Sequence, residues 1–253
     1  MLAGIYIPHK MPGTRAFDRL EADYLRRAFR ALRSAAKDTR FVFFSESDTP
    51  PFSADIPIER IRRRDSMFRR ISRDKPALEQ ALALRNADVL LTTVDAPVGR
   101  ITLPKVLFTL DMMIYDGNAA PEGRLHPTLP RLVKRNCADS KFILCPSAHV
   151  QKSCSAQMEI GLEKTVLARA GVEEAFGVPR ASIIEGPFTL FPLNRYTCRH
   201  IKTITEALRR NKGLFPPTLV VVGPPHPNEP ANWGLPVVRL EQCPDAVMAA
   251  LLQ

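Results

Sequence analysis

Short, almost wholly apolar runs recur along this chain, and helical patterns separate them. "LAGIYI" (2–7), "RFVFFS" (40–45), "ADVLLTTV" (87–94), "KVLFTL" (105–110) and "KFILCPS" (141–147) are strand-like, with "IPIERI" (56–61) a weaker member and "KTVLAR" (164–169) the last of the series. Between them the apolar spacing changes to that of a helix. Residues 16–36 carry Phe17, Leu20, Tyr24, Leu25, Ala28, Phe29 and Leu32 on one face, and "ALEQALAL" (77–84) and "TLPRLVKRNCADS" (128–140) also read as helices. Ser147 stands where it can cap a further helix, "AHVQKSCSAQM". A strand that is apolar on both faces must be covered on both, as strands of a parallel sheet are by crossover helices. The expected fold class is therefore α/β.

The periodicity breaks at "AGVEEAFGVPRASIIEGP" (170–187), where three glycines and two prolines fall together. A second series follows: "FTLFPL", a helix over 201–211, "TLVVVG" (218–223), the loop "PPHPNEPANWG", "LPVVRL" and a last helix "PDAVMAALL". Two Rossmann-like, doubly wound domains are expected, with residues 1–175 in the first, a linker at 176–187 and residues 188–253 in the second. Domains of this kind hold ligands in a crevice outside the carboxyl ends of their strands.

Composition narrows the function. Of the 253 residues 25% are charged and 45% hydrophobic, which suits a globular chain. No apolar run approaches the roughly 20 residues that span a bilayer. The first residues read as a strand rather than a signal peptide, so a cytoplasmic location is expected, with peripheral contact at the inner membrane face as an extension. The five cysteines, Cys137, Cys145, Cys154, Cys198 and Cys243, fit no zinc spacing and read as reduced, partly buried thiols. The net charge of +10 attracts polyanions. Its densest cluster, "RIRRRDSMFRRISRD" (60–74), is a solvated surface or a contact for anionic lipid or a sugar-phosphate. With aromatic residues at 7% and no nucleic-acid motif, no nucleic-acid partner is expected.

The order of motifs resembles the retaining glycosyltransferases of the GT-B fold, family 4. "DSKFILCPSAHVQKS" is similar to that family's strand-helix "ad-IiapSe--r--L", and "TVLARAGVEEAF" to its "i-vv-nGvd--f". "FTLFPLNRYTCRHIKTITEAL" resembles the opening of the family's donor domain, "yilyPaN---KN---ll-Al", and "PTLVVVGPP" its next strand. The resemblance implies a GT-B protein that is C-terminally truncated. The segment "PS--EGFG-P--EA", which holds the family's glutamate pair, has no counterpart before Gln253, and the second domain is expected to be incomplete, with an open sheet edge.

The same resemblance supplies residue roles. It implies donor-phosphate binding by Arg199 and His200, in the places of the family's Lys and Asn, and by Arg195 one position from the family's arginine. Arginine suits this because its planar fork grips phosphate oxygens in pairs. The acceptor side would be the loop after the first strand, with His9, Lys10, Gly13 and Arg15. Asp111 keeps the acid of the family's His-Asp pair and is the candidate catalytic residue, while Leu110 replaces the histidine. No metal and no cofactor are expected beyond a nucleotide-sugar donor substrate. The implied activity is retaining transfer of a sugar to a polysaccharide or lipid-linked acceptor, with a second chain completing the donor domain. The alternative is a catalytically dead binding or partner module, which Leu110 favours.

Overall fold

The computed structural model describes residues 1–7, 19–45, 56–61, 75–98, 101–109, 112, 128–169, 176–193, 197–211 and 213–252. The chain divides into two compact units, Met1–Gly171 and Val172–Gln253.

The first unit is built on a parallel sheet of seven strands: β1 (Leu2–Tyr6), β2 (Arg40–Ser45), β3 (Ile58–Arg60), β4 (Val89–Thr93), β5 (Lys105–Phe108), β6 (Phe142–Cys145) and β7 (Thr165–Leu167). Their order is β3-β2-β1-β4-β5-β6-β7. The order reverses between β1 and β4, which pair with Ala3 opposite Val89 and Tyr6 opposite Thr92. The described α-helices of this unit are α1 (Arg19–Ala35), α2 (Lys75–Leu84), α3 (Thr128–Asp139) and α4 (Ala148–Met158), and a 3₁₀ turn, Leu162–Lys164, leads into β7.

Alternation along the strands decides which helix each side chain meets. Ala3, Ile5 and Ile7 join Phe41, Phe43, Leu91 and Phe108 beneath Leu25, Phe29, Ala28 and Leu32 of α1. Leu2 and Tyr6 point the other way, with Phe44 and Leu90, onto Leu78 and Leu82 of α2. Each fully buried Leu, Ile or Phe among them contributes roughly 1.5–3 kcal/mol. Leu25, Ala28, Phe29 and Leu32 follow the i, i+3, i+4, i+7 spacing of one helix face. Pro76 is tolerated in α2 because it lies in the first turn, where backbone N–H groups have no intrahelical acceptor. Ser147 caps α4 as the sequence predicts: its Oγ accepts from the Val150 N–H at 3.2 Å.

The second unit contains β8 (Phe188–Pro192), α5 (Ile201–Arg210), β9 (Thr218–Val222), β10 (Val237–Leu240) and α6 (Asp245–Leu251), and a 3₁₀ turn, Cys198–His200, leads into α5. Its three strands are parallel in the order β10-β9-β8. Phe191, Leu193, Leu219 and Val221 face Ile201 and Leu208 of α5, with Trp233 edge-on to Phe191 at 5.8 Å. Val220, Val222, Phe188 and Leu190 face Leu251 and Val247 of α6. Among the described residues β8 pairs with a strand along one side only, the side of β9. The expected strands and helices are all present where they fall within the described residues, with described ends shifted by at most two residues: the helix expected at 77–84 begins at Lys75, and most strands are trimmed.

Candidate functional site

In a parallel sheet the carboxyl ends of the strands gather the loops that bind and react. In the first unit the reversal point lies between β1 and β4. Thr92 Oγ1 donates to the Tyr6 carbonyl at 2.5 Å and ties the two strand ends together. Beyond β1 the loop that holds His9, Lys10, Gly13 and Arg15 lies outside the described residues. So do Leu110 and Asp111 after β5, and most of the basic cluster at 60–74.

Beyond β4 the chain turns at Val94, Asp95 and Ala96. The Ala96 N–H donates to the Thr93 carbonyl at 3.2 Å. From α3, buried Asn136 reaches across and its Nδ2 donates to the Val94 carbonyl at 2.9 Å and the Ala96 carbonyl at 2.8 Å. Asp95 is held between those two anchors. Its residue surface is partly open, but the carboxyl is packed among protein atoms, and burial pushes its pKa above the usual carboxylate value. The Thr93 side chain and the backbone pull the other way to a lesser degree, and the Thr93 hydroxyl makes no well-formed hydrogen bond. A buried carboxyl with raised pKa at a reversal point is a candidate for proton transfer. Sequence reasoning missed it, because one aspartate after an apolar strand carries no motif.

In the second unit β8 ends at Pro192, and Leu193 donates its N–H to the Val222 carbonyl at 2.6 Å. Arg195 lies outside the described residues. Thr197 Oγ1 closes the turn onto the Pro192 carbonyl at 2.6 Å. Arg199 and His200 fall in the 3₁₀ turn at the start of α5, and His200 is exposed. The His200 N–H donates to the Thr197 carbonyl at 2.9 Å and the Ile201 N–H to the Cys198 carbonyl, which closes the turn.

The end of β9 closes tightly on β8. Gly223 takes φ +130°, and a Cβ built there would lie 2.1 Å from the Leu193 carbonyl oxygen, so no other residue fits. The loop that follows is pinned by an ion pair between Arg239 of β10 and Glu229. Arg239 Nη1 also donates to the Gly223 carbonyl at 2.9 Å. Glu229 Oε1 accepts from the His226 N–H at 2.6 Å, and His226 Nδ1 accepts from the Asn228 N–H at 3.2 Å. The sequence suggested a loop here but not its clamp. Glu229 and Arg239 stand ten positions apart, and only the return of the chain through β10 brings them together.

Among the described residues no group of three His, Cys, Asp or Glu is placed to hold a metal ion. Among them also, no helix is long and apolar enough to cross a membrane.

Two units on parallel, Rossmann-like sheets, with loops gathered at the strand carboxyl ends, define an α/β protein of the GT-B fold. Solved structures agree. UDP-GlcNAc 2-epimerase from Methanocaldococcus jannaschii superposes with a TM-score of 0.55 at 12% identity, over 100% of this chain and 76% of that one. Anabaena Alr3699/HepE in complex with UDP gives 0.55 at 13% identity, over 88% and 61%. A glycosyltransferase from Rickettsia africae ESF-5 gives 0.52 at 13% identity, over 88% and 60%. The likeness covers about three fifths of the latter two proteins' length, and at such identity it concerns the fold alone. No protein-family model and no curated protein matches this sequence.

Proposed function

We propose that this chain binds a nucleotide-sugar at the strand carboxyl ends and transfers the sugar, with retention, to a polysaccharide or lipid-linked acceptor. The carrying observation is the second unit's end of β9. A glycine-tight turn and a clamped loop follow β9, and α5 starts beyond its neighbour β8, at the sheet end where cationic side chains would meet a nucleoside diphosphate. Neighbours of the same fold carry UDP and UDP-glucose, which supports the reading. Arg199 and His200, with Arg195, serve the leaving diphosphate. His9, Lys10, Gly13 and Arg15 serve the acceptor, and Asp111 the reacting centre. A second polypeptide pairs along the other side of β8 to complete the donor side. No metal takes part.

Asp95 favours a second reading. Its raised pKa suits a group that moves a proton on a bound nucleotide-sugar, and a 2-epimerase is among the neighbours. Proton NMR of UDP-sugars incubated with the chain in D₂O separates the two. Sugar release or transfer with UDP formed supports transfer. Deuterium entering the ring without release supports proton exchange, and Asp95→Asn abolishes it. UDP-sugar binding with neither outcome leaves the non-catalytic module, which Leu110 favours.

A further inference from the structure

The second unit's sheet has an unusual amino-terminal end. Leu214 is 80% exposed and Phe215 36% exposed, in the turn between α5 and β9, and Val237, the first residue of β10, is 40% exposed. These strand starts are neighbours, because β9 and β10 pair in parallel with Leu219 opposite Val237. The turn is built so that its apolar tip stands out. Asn211 ends α5, with both its N–H and its Nδ2 donating to the Ala207 carbonyl. The Leu214 N–H donates to the Asn211 carbonyl at 3.0 Å. Gly213 takes φ +93°, a conformation open to glycine. Pro216 and Pro217 then stiffen the entry to β9.

Cations border this tip. The last turn of α5 carries Arg209 and Arg210, with Lys212 two positions further along the sequence. Arg209 Nη2 donates to the Asn232 carbonyl at 2.6 Å, a bond that leaves its charge unneutralised, while Arg210 pairs with Glu206 in the open.

We infer that this end of the second unit docks on an anionic lipid bilayer. Leu214 and Phe215 enter the headgroup boundary and Arg209 and Arg210 meet lipid phosphates. The patch is a turn tip, far short of the ~800 Å² per partner that a stable protein interface buries. A bilayer needs only a few inserted apolar side chains beside cations, each worth about 1 kcal/mol near an anionic surface. Docking here leaves the unit's strand carboxyl ends turned away from the lipid.

The test is sedimentation of the full chain with phosphatidylcholine vesicles, with and without about one third phosphatidylglycerol. Wild type binds the anionic vesicles at least ~10-fold more tightly, and Leu214→Asp loses that gain by ~10-fold or more. Arg209→Glu with Arg210→Glu weakens binding similarly, and raised salt does the same to wild type. Leu84→Asp, at an equally exposed position of the first unit, changes nothing. Circular dichroism verifies that each variant is folded. Wild-type binding without lipid preference, or Leu214→Asp binding as wild type does, overturns the inference. So does a dimer that Leu214→Asp abolishes in a chain that ignores vesicles.

Discussion

Asn136 holds Asp95 by the backbone on either side of it: one side-chain amide nitrogen bonds the carbonyls of Val94 and Ala96 at 2.9 and 2.8 Å. Its other polar atom, Oδ1, is buried with no hydrogen-bond partner, so the residue accepts a cost to make this grip. Asn136→Ala leaves two carbonyls without their donor. The expected loss is about 2–3 kcal/mol in urea unfolding, from the unmet groups and the cavity together.

Asp95 itself makes stability depend on pH. Its folded pKa lies above the ordinary 3.8, so the folded chain holds the proton more tightly than the unfolded one. That contribution is complete below the unfolded value and is lost as pH rises through the folded value. Asp95→Asn is expected to match wild type near pH 3 and to exceed it at pH 7, with the gap opening between. Unfolding midpoints across that range check the sign.

Lys105 gives the opposite slope at the alkaline end. Its side chain is 1% exposed at the start of β5, with Asp139 at 3.9 Å. Burial lowers its pKa below 10.5, and Asp139 opposes the shift. Between the lowered folded value and the unfolded one, the unfolded chain binds more protons, so stability rises with pH through that window. Lys105→Met is expected to lack the rise and to stay within about 2 kcal/mol of wild type at neutral pH, since an apolar side chain replaces a buried charge.

Cys137, Cys145 and Cys154 meet in one core cluster between α3, β6 and α4, all fully buried. Hydrogen bonding to Cys154 and burial push the thiols of Cys137 and Cys145 up, and the same bonds draw Cys154 down against its burial. Inaccessibility decides their behaviour. A water-soluble disulfide reagent is expected to label Cys198 and Cys243 in the folded chain and the other three only after unfolding. Cys243 labels slowly at neutral pH, because burial and then Asp245 raise its pKa. Mass spectrometry of labelled peptides identifies which react.

The scaffold was largely legible because its strands are buried on both faces. "RFVFFS" has no polar interruption to mislead, and it became β2 with Arg40 and Ser45 as its ends. Ser147 announced a cap that the backbone uses. Ends were trimmed where an apolar residue continues past the last ladder bond, as Ile7 does after β1. The candidate site was less legible. Asp95 owes its character to desolvation, which no local pattern encodes, and Asn136 reads as one polar residue in an amphipathic helix. Glu229 and Arg239 are joined by topology. Lys105 looked like an ordinary strand start, yet it is one of the most buried side chains of the molecule.

The central claim is that the end of β9 and the start of α5 form a nucleotide site, and calorimetric titration of UDP and GDP into the full chain tests it most directly. Saturable binding of one nucleotide, weakened ~10-fold or more by Arg199→Ala with the fold intact, is the expected result. Heats that never saturate with either nucleotide, or an affinity that Arg199→Ala leaves unchanged, would contradict it.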